Sequence, residues 1–167
     1  MHPLILTLAL DAETQSWLEA LRREHFPPER NLVPAHVTLF HALPGAEEAA
    51  ISARTAVEAA TTARAPMRIG PPRFLGRGVA LEVQTPAIAA LRRRLAADWE
   101  PWLTRQDTQA WRGHVTVQNK VTPEAARRLH EQLRAELPVR EATAEGLMLW
   151  RYRGGPWEPA TLFPFTG

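Results

Sequence analysis

Apolar and polar positions along the chain alternate between spacings typical of strands and spacings typical of helices. Short apolar or alternating runs predict strands at 4–10, 36–43, 67–70, 74–84, 114–121, 143–152 and 157–165. Apolar residues three or four positions apart predict helices at 12–26, 46–64, 85–99 and 122–137. Asp11 and two Thr-Pro pairs, at Thr85 and Thr122, supply residues typical of helix starts.

The order of these elements repeats. Each half of the chain runs strand, helix, strand, helix, strand, and the second strand of each half carries a closely matching tetrapeptide, either His36-Val37-Thr38-Leu39 or His114-Val115-Thr116-Val117. The two tetrapeptides begin 78 residues apart, which is close to half of the 167 residues. Because no long linker separates the halves, we expect a single domain over 1–167, with one lobe at about 1–72 and the other at about 73–167, around a shared groove.

Each tetrapeptide carries an imidazole and a hydroxyl on one face of its strand. Residues i and i+2 of a strand point to the same side, so His36 shares a face with Thr38, and His114 shares a face with Thr116. If a pseudo-twofold axis relates the halves, both faces line one groove. A neutral imidazole there can remove a proton from an attacking water or hydroxyl, while a protonated imidazole gives a proton to the leaving oxygen. The two hydroxyls can bind non-bridging phosphate oxygens.

A single His-x-Thr tripeptide is weak evidence, because a histidine beside a β-favouring threonine also occurs at the edge of an ordinary sheet. Two copies at corresponding positions of a repeat favour a paired-histidine site for phosphodiester chemistry. One alternative is a binding module that holds a nucleotide or RNA end in the same groove without turnover. A metal-dependent hydrolase is disfavoured, since neither motif has a nearby carboxylate at a spacing such as H-E-x-x-H.

With this pair of motifs the sequence resembles the 2H phosphoesterase superfamily, the group of 2′-5′ RNA ligase-like proteins and cyclic phosphodiesterases that carry one His-x-Thr-hydrophobic motif in each lobe. The segments 34–40 and 114–120 are typical of its bacterial members. The resemblance implies an α+β fold. In detail, it implies a bilobal pseudo-twofold duplication of a β-α-β-α-β unit, with mainly antiparallel sheets around a central groove.

The same resemblance implies an activity. It is the opening of 2′,3′-cyclic phosphates, or the making and breaking of 2′-5′ phosphodiester bonds, without a metal or another cofactor. The implied substrates are RNA ends or small cyclic or 2′-5′-linked nucleotides. By matching positions, His36 and His114 take the catalytic roles, and Thr38 and Thr116 bind phosphate.

Other residues near the motifs are weaker candidates for the groove. Gln118 and Lys120 continue the alternation of the second motif, and Lys120, the only lysine, either contacts phosphate or faces solvent. Phe40 either stacks on a base or lies in the core. In the last part of the chain, Arg151 is a candidate for bidentate phosphate contact and Tyr152 for stacking or hydroxyl donation.

The remaining polar and aromatic positions are interpreted more simply. Arg30 is a loop candidate before the first motif, and Trp111 is a candidate wall of the groove near the second. The run 92–94 of three arginines lies on a predicted helix, where we expect it to face solvent. His41 has the opposite strand parity to His36, so the sequence assigns it no direct catalytic role.

Composition narrows the class of protein further. With no cysteine, disulfides, iron–sulfur clusters, thiolate zinc sites and a cysteine nucleophile are excluded. All but one of the 20 basic residues are arginine, and the net charge is only +2, so we infer no large basic field despite a pI of about 9.9. The most apolar run, 4–10, is too short to span a bilayer. We expect a cytoplasmic monomer that does not bind a membrane.

Overall fold

The computed structural model describes residues 2–167. Within that range the strands are β1 (Leu4–Leu10), β2 (Thr38–Leu43), β3 (Ala65–Phe74), β4 (Val79–Gln84), β5 (His114–Gln118), β6 (Arg140–Arg151) and β7 (Glu158–Pro164). The α-helices are α1 (Ala12–His25), α2 (Glu48–Ala60), α3 (Pro86–Asp98) and α4 (Pro123–Glu136). Short 3₁₀ turns occur at Pro28–Arg30, Gly45–Glu47 and Glu100–Trp102. The alternation of strand and helix along the chain is therefore as the hydrophobic pattern predicts.

One part of the pattern is different in the structure. The sequence predicts a strand at 67–70 that Pro71-Pro72 would end, and a second strand over 74–84. Instead β3 runs through both prolines to Phe74, and its pairing with β4 shifts register between Ile69 and Pro72. This shift accommodates prolines, which cannot donate a backbone hydrogen bond to a neighbouring strand. The chain then turns, with the Leu75 amide donating to the Gly78 carbonyl at 2.9 Å, and β4 begins at Val79.

All the strands belong to one sheet, in which every strand pair is antiparallel. The order is β2-β1-β6-β3-β4-β5, and β7 pairs with β6 outside this path. Reversing the order exchanges β1 with β4, β2 with β5 and β3 with β6, which is the symmetry expected of a duplicated β-α-β-α-β unit. The expected α+β class, with a pseudo-twofold antiparallel sheet, is confirmed. The division into lobes at about residue 72 stays a prediction.

The two halves share strands at the middle of the sheet. β6, the last strand of the second half's repeat unit, pairs along the whole of β1. β3, the last strand of the first half, pairs with β4 and also with β6, over residues 65–69 against residues 140–144. Each half therefore completes the sheet of the other, and neither half holds a complete sheet alone.

The helices pack on this sheet across the same boundary. α1, from the first half, packs against β5 of the second half, and α4 packs against β3 and β4. Buried leucine, valine and isoleucine side chains from strands and helices form one cluster, which includes Leu6, Leu39, Leu81, Leu91 and Leu149. Burial of this apolar surface is the main force that holds the helices to the sheet.

The predicted helix starts are correct in position. The Asp11 carboxylate accepts from the Thr14 amide at 3.1 Å, and the Thr122 hydroxyl accepts from the Ala125 amide at 3.2 Å. Thr85 also precedes its helix, but its side chain makes no cap hydrogen bond and its hydroxyl is buried without a partner. Within residues 2–167, no helix combines the length and the apolar character that crossing a membrane requires.

Candidate active site

The two His-x-Thr motifs meet at one pocket of about 200 Å³. Side chains from both halves line it, namely Ile5, His36, Thr38, His41, His114, Thr116 and Trp157. The aliphatic residues of the motifs point to the other side and are fully buried, namely Val37, Leu39, Val115 and Val117. The strand alternation of the sequence thus predicts which motif side chains share the pocket.

Backbone pairing positions each histidine. The Leu8 amide donates to the Val37 carbonyl at 3.0 Å, which holds the extended segment before β2 against β1 and sets His36 at the entrance to that strand. His114 is the first residue of β5 and pairs with Glu82 of β4. Because β1 and β4 are symmetry-related in the sheet, each half contributes one imidazole to the pocket from a corresponding position.

The two imidazoles are oriented in the same way. Nδ1 of His36 lies 2.8 Å from the Pro34 carbonyl oxygen, and Nδ1 of His114 lies 2.9 Å from the Arg112 carbonyl oxygen. In each case the acceptor belongs to the residue two positions earlier. A carbonyl oxygen only accepts, so both contacts require the proton on Nδ1. The Nε2 atoms are therefore available to exchange protons with a molecule in the pocket.

Burial favours the neutral form of both rings. It lowers the pKa of His36 to about 4, even though the bond to the Pro34 carbonyl acts in the opposite direction. The positive charge of Arg22 lowers the pKa of His36 further. Burial also lowers the pKa of His114, and the charge of Arg73 adds to this effect. In the free protein near neutral pH, both rings are therefore unprotonated at Nε2 and can act as proton acceptors.

A third histidine lines the pocket, contrary to the expectation from strand parity. β2 pairs with β1 through Thr7–Thr38, Leu6–Phe40 and Leu4–Leu43, so β2 contains extra residues on both sides of Phe40. Such bulges re-aim the side chains that follow them. His41 consequently returns to the pocket face, where its ring joins those of His36 and His114.

A buried carboxylate holds this third ring. Oδ1 of Asp107 lies 3.0 Å from Nδ1 of His41, and both carboxylate oxygens accept from the His41 amide. Oδ2 also accepts from the Ala42 amide at 3.1 Å. These hydrogen bonds and the nearby His41 ring outweigh the effect of burial and lower the pKa of Asp107, which keeps the carboxylate ionised.

One tryptophan borders the pocket, Trp157, and the sequence did not indicate it. The ring of Trp157 lies 4.5 Å from that of His36, centroid to centroid, and forms part of the pocket wall. Trp111, the predicted wall, instead donates from Nε1 to the Thr38 carbonyl at 2.9 Å and lines a separate cavity. Only the order of the strands, which brings β7 beside β6, could have indicated Trp157.

A sequence model of the 2′-5′ RNA ligase superfamily matches residues 10–156, which is most of the chain. The chain belongs to the 2′-5′ RNA ligase superfamily. No curated protein matches it significantly by sequence.

Solved structures have the same overall fold as this superfamily member. The crystal structure of TT0787 from Thermus thermophilus superposes with a TM-score of 0.69 at 17% identity, covering 99% of this chain and 98% of that one. The complex of Escherichia coli LigT with 3′-AMP superposes with a TM-score of 0.67 at 18% identity, covering 99% of each chain. A crystal structure described as a phosphoesterase gives a TM-score of 0.66 at 19% identity over the full length of both chains. At these identities the likeness concerns the fold.

In this superfamily member, two buried arginines tie the motifs to helices of the opposite half. Arg22 of α1 donates to the Thr116 carbonyl at 2.8 Å. Arg92 of α3 donates to the Leu39 carbonyl at 3.0 Å and to the Asp107 carbonyl at 2.7 Å. The prediction that the arginine run at 92–94 faces solvent is therefore wrong for Arg92, which is buried and also lies 4.4 Å from the Phe40 ring.

The weaker groove candidates lie away from the pocket. Lys120 is exposed beyond the end of β5, where a φ of 63° turns the chain out of the strand. Arg151 forms a bidentate ion pair with Glu48, at 2.8 and 2.7 Å, and lines a different cavity. Tyr152 is exposed just after β6. The structure therefore does not bring Lys120, Arg151 or Tyr152 to the paired histidines.

Three other candidate positions do not line the pocket either. Phe40 is fully buried and packs edge-on against Trp99, so its ring belongs to the core. Gln118 is buried too, and its Oε1 has no hydrogen-bond partner. Arg30 is exposed at the end of a 3₁₀ turn. Within residues 2–167, no three histidine or carboxylate side chains form a group suited to binding a metal ion.

Proposed function

We propose that this protein is a metal-independent RNA-end phosphoesterase that opens 2′,3′-cyclic phosphates, or makes and breaks 2′-5′ phosphodiester bonds, by general acid–base catalysis with His36 and His114. Membership of the 2′-5′ RNA ligase superfamily supports the phosphoesterase class. The observation that carries the proposal is the pocket that both His-x-Thr motifs line. We expect the activity to persist in the presence of a chelator.

The orientation of the two rings supports a two-proton mechanism. For opening of a cyclic phosphate, the oxygen of a water forms a bond to phosphorus as the bond to O2′ or O3′ of the ribose breaks. Nε2 of one histidine accepts a proton from that water, and Nε2–H of the other gives a proton to the leaving oxygen. The pKa of His36 is lowered to about 4, which favours this ring as the base and His114 as the acid.

The threonine hydroxyls support binding of the phosphoryl group. Thr38 and Thr116 follow their histidines at two residues' distance, so a phosphorus atom held by the hydroxyls lies between the rings. Arg22 donates to the Thr116 carbonyl, and Trp111 donates to the Thr38 carbonyl. These bonds hold both threonine backbones and so limit reorganisation when charge develops on the phosphate.

The size of the pocket suggests where the rest of the substrate lies. About 200 Å³ is below the roughly 300–1,000 Å³ typical of a pocket for a whole small ligand. A second cavity of about 380 Å³ shares His36 and is lined on one side by Met148, Trp150 and Leu162. A nucleoside attached to the bound phosphate would lie in this mostly apolar groove, and stacking on an aromatic side chain there is tolerant of base identity.

The decisive experiment is a substrate panel with single histidine variants. The panel holds 2′,3′-cyclic nucleotides, 2′-5′ dinucleotides and RNA with a cyclic-phosphate end, with identification of each product. We expect His36→Ala and His114→Ala each to reduce kcat by about 10²–10⁴-fold, because each removes one proton transfer. His2→Ala, at an exposed histidine outside the pocket, is the matched control and should be unchanged.

The outcomes separate the proposal from its alternative. Equal turnover with both pocket histidines replaced would reject the proposal. Tight nucleotide binding by the wild type without product from any substrate would favour the non-catalytic binding module. Two expectations accompany the proposal, namely a monomer, which the elution volume on size exclusion tests, and a cytoplasmic location, which cell fractionation tests.

A further inference from the structure

The pocket holds an imidazole that the paired-histidine mechanism does not use. His41 lines it together with His36 and His114. The three rings differ in what faces their Nδ1 atoms. For His36 and His114 the partner is a neutral carbonyl oxygen, whereas for His41 it is the buried carboxylate of Asp107 at 3.0 Å.

This difference affects how firmly each ring is held and what lies behind it. A carboxylate behind Nδ1 fixes the ring orientation, keeps the proton on Nδ1 and stabilises the imidazolium that forms when Nε2 also takes a proton. The carboxylate of Asp107 is itself held by two backbone amides and is only 1% exposed, so its position is fixed before any ligand arrives. Nε2 of His41 is then the free, pocket-facing end of a rigid Asp–His pair.

The pocket offers a phosphodiester no permanent positive charge. Its lining contains no lysine, arginine or acidic side chain among the described residues 2–167. Burial opposes the protonation of His36 and His114, and the hydroxyls of Thr38 and Thr116 are uncharged. An anionic phosphate that entered would leave water without gaining a permanent cation, which is unfavourable.

We propose that His41, held by Asp107, is a substrate-binding residue that donates from a protonated Nε2 to a non-bridging oxygen of the phosphate. This inference rests on the proposed function, since it assigns a third role in the same pocket. The ligand class is a phosphate mono- or diester anion. The Nε2 proton is present once the anion is bound and is kept during the reaction, so His41 takes no part in the proton transfer between water and leaving oxygen.

The symmetry of the chain supplies a natural comparison. The offset of 78 residues that relates His36 to His114 relates His41 to Asn119. Asn119 accepts a bond from the Lys120 amide through its own side chain and does not line the pocket. The third ring therefore exists on one side only, and His41→Asn installs at position 41 the residue that its counterpart already carries.

His41→Asn also removes the proposed phosphate contact while keeping the contacts that hold Asp107 in place. The amides of residues 41 and 42 that hold Asp107 belong to the backbone and are retained. The side-chain amide can still donate toward Asp107, because its nitrogen occupies about the place of Nδ1, while the atom at Nε2 is lost. Asn119→Ala is the matched control at the symmetry-related position.

The first test measures affinity and kinetics of the full chain. Inorganic phosphate is titrated calorimetrically, and a 2′,3′-cyclic nucleotide is used for steady-state rates. We expect His41→Asn to weaken phosphate binding and to raise KM by about 10- to 100-fold, as for loss of a hydrogen bond to a charged group, with kcat changed much less. Asn119→Ala should change neither by more than about twofold. Unchanged phosphate affinity and KM in a folded His41→Asn protein would overturn the inference.

A second measurement does not depend on a variant that folds. In ¹⁵N-labelled wild-type protein, long-range ¹H–¹⁵N spectra report the protonation of each ring nitrogen. Addition of inorganic phosphate should shift Nε2 of His41 toward the protonated, hydrogen-bonded position, while Nδ1 stays protonated. A ring that does not respond at saturating phosphate contradicts the inference.

The two proposals fail in different ways. If the wild type binds phosphate through His41 but opens no cyclic phosphate, the proposed function is wrong and this inference stands. If His36→Ala and His114→Ala abolish turnover while His41→Asn leaves KM and phosphate affinity intact, the proposed function stands and this inference is wrong.

Discussion

At the scale of single residues, the chemistry of the pocket depends on what lies behind each imidazole. His36 and His114 both contact the carbonyl of the residue two positions earlier, and both are placed where burial lowers their pKa. Charge is thus disfavoured on these two rings in the free protein. His41 differs because its Nδ1 faces a carboxylate. The three imidazoles therefore differ because different groups face their Nδ1 atoms.

The lowered pKa values predict the pH dependence of catalysis. The profile of kcat/KM reports the free protein, and the proposed mechanism requires that one ring be neutral and the other protonated. The pKa of His36 is about 4 and that of His114 lies below its ordinary value of 6.5, so the protonated fraction of His114 falls as the pH rises toward neutrality. We therefore expect a bell-shaped profile with its maximum on the acidic side of pH 6.5.

This profile is measured with a 2′,3′-cyclic nucleotide whose own phosphodiester does not titrate in the range used. Substitution of Arg73 by methionine removes one charge that lowers the pKa of His114, so the alkaline limb should move to higher pH. A wild-type maximum above pH 7 would contradict the prediction.

At the scale of secondary-structure elements, regular strand alternation determines where the motif side chains point. Bulges in a strand determine where the side chains that depart from this alternation point. Thr38 and Thr116 face the pocket because a regular strand turns every second side chain the same way. The irregular pairing of β2 with β1 then brings His41 back to the same face. Helices α1 and α3 each hold one of the motif strands through a buried arginine that donates to a carbonyl of that strand.

The contribution of the buried Arg92 of α3 to stability can be measured against that of the adjacent, exposed Arg93. Arg92→Met keeps much of the side-chain length but leaves the buried carbonyls of Leu39 and Asp107 without their donor. We expect the free energy of unfolding to fall by about 2–3 kcal/mol, measured by urea denaturation. The exposed Arg93→Met, on the same helix, should change it by less than about 0.5 kcal/mol. Equal effects of the two substitutions would show that the buried donor does not stabilise the strand.

At the scale of the whole molecule, the two halves depend on each other. β6 pairs with β1 along residues 4–10, and β3 lies between β4 and β6. Helix α1 packs against β5 of the opposite half. A half-chain therefore lacks a long strand pairing. It also exposes apolar surface that a helix of the other half covers in the whole protein.

This dependence predicts the behaviour of separate halves. Residues 1–76 and 77–167, divided at the turn between β3 and β4, should each lack a cooperative urea transition when expressed alone, because their unpaired strands and exposed core do not compensate for chain entropy. Mixing the two should restore the transition and any phosphoesterase activity. The uncut chain is the control, and a cooperative transition in either isolated piece would contradict the prediction.

Much of the fold and the four motif positions could be predicted from the sequence, for reasons that are local. Asp11 and Thr122 begin their helices because their side chains accept from amides three residues later, and this depends on neighbouring residues alone. The duplicated His-x-Thr pattern predicts a shared face in each half. These are features that a short stretch of chain determines by itself.

The features that sequence reasoning missed depend on distant parts of the chain. The bulges that turn His41 inward are visible only in the pairing of β2 with β1. Arg92 is buried because carbonyls of Leu39 and Asp107, far from it in sequence, accept from it. Trp157 contacts His36 because the sheet order carries the end of the chain across to the first half. Local periodicity contains none of these relationships.

The pseudo-twofold relation between the halves has a consequence for the reaction itself. Two identical subunits meeting about an axis must offer a phosphorus atom equal groups from both sides, whereas displacement at phosphorus has an entering oxygen on one side and a departing oxygen on the other. Joining both units in one polypeptide frees each side to vary alone, as with histidine at 41 opposite asparagine at 119, or phenylalanine at 40 opposite glutamine at 118. Because the two halves are covalently joined, the side of the site that faces the entering oxygen can differ from the side that faces the departing oxygen.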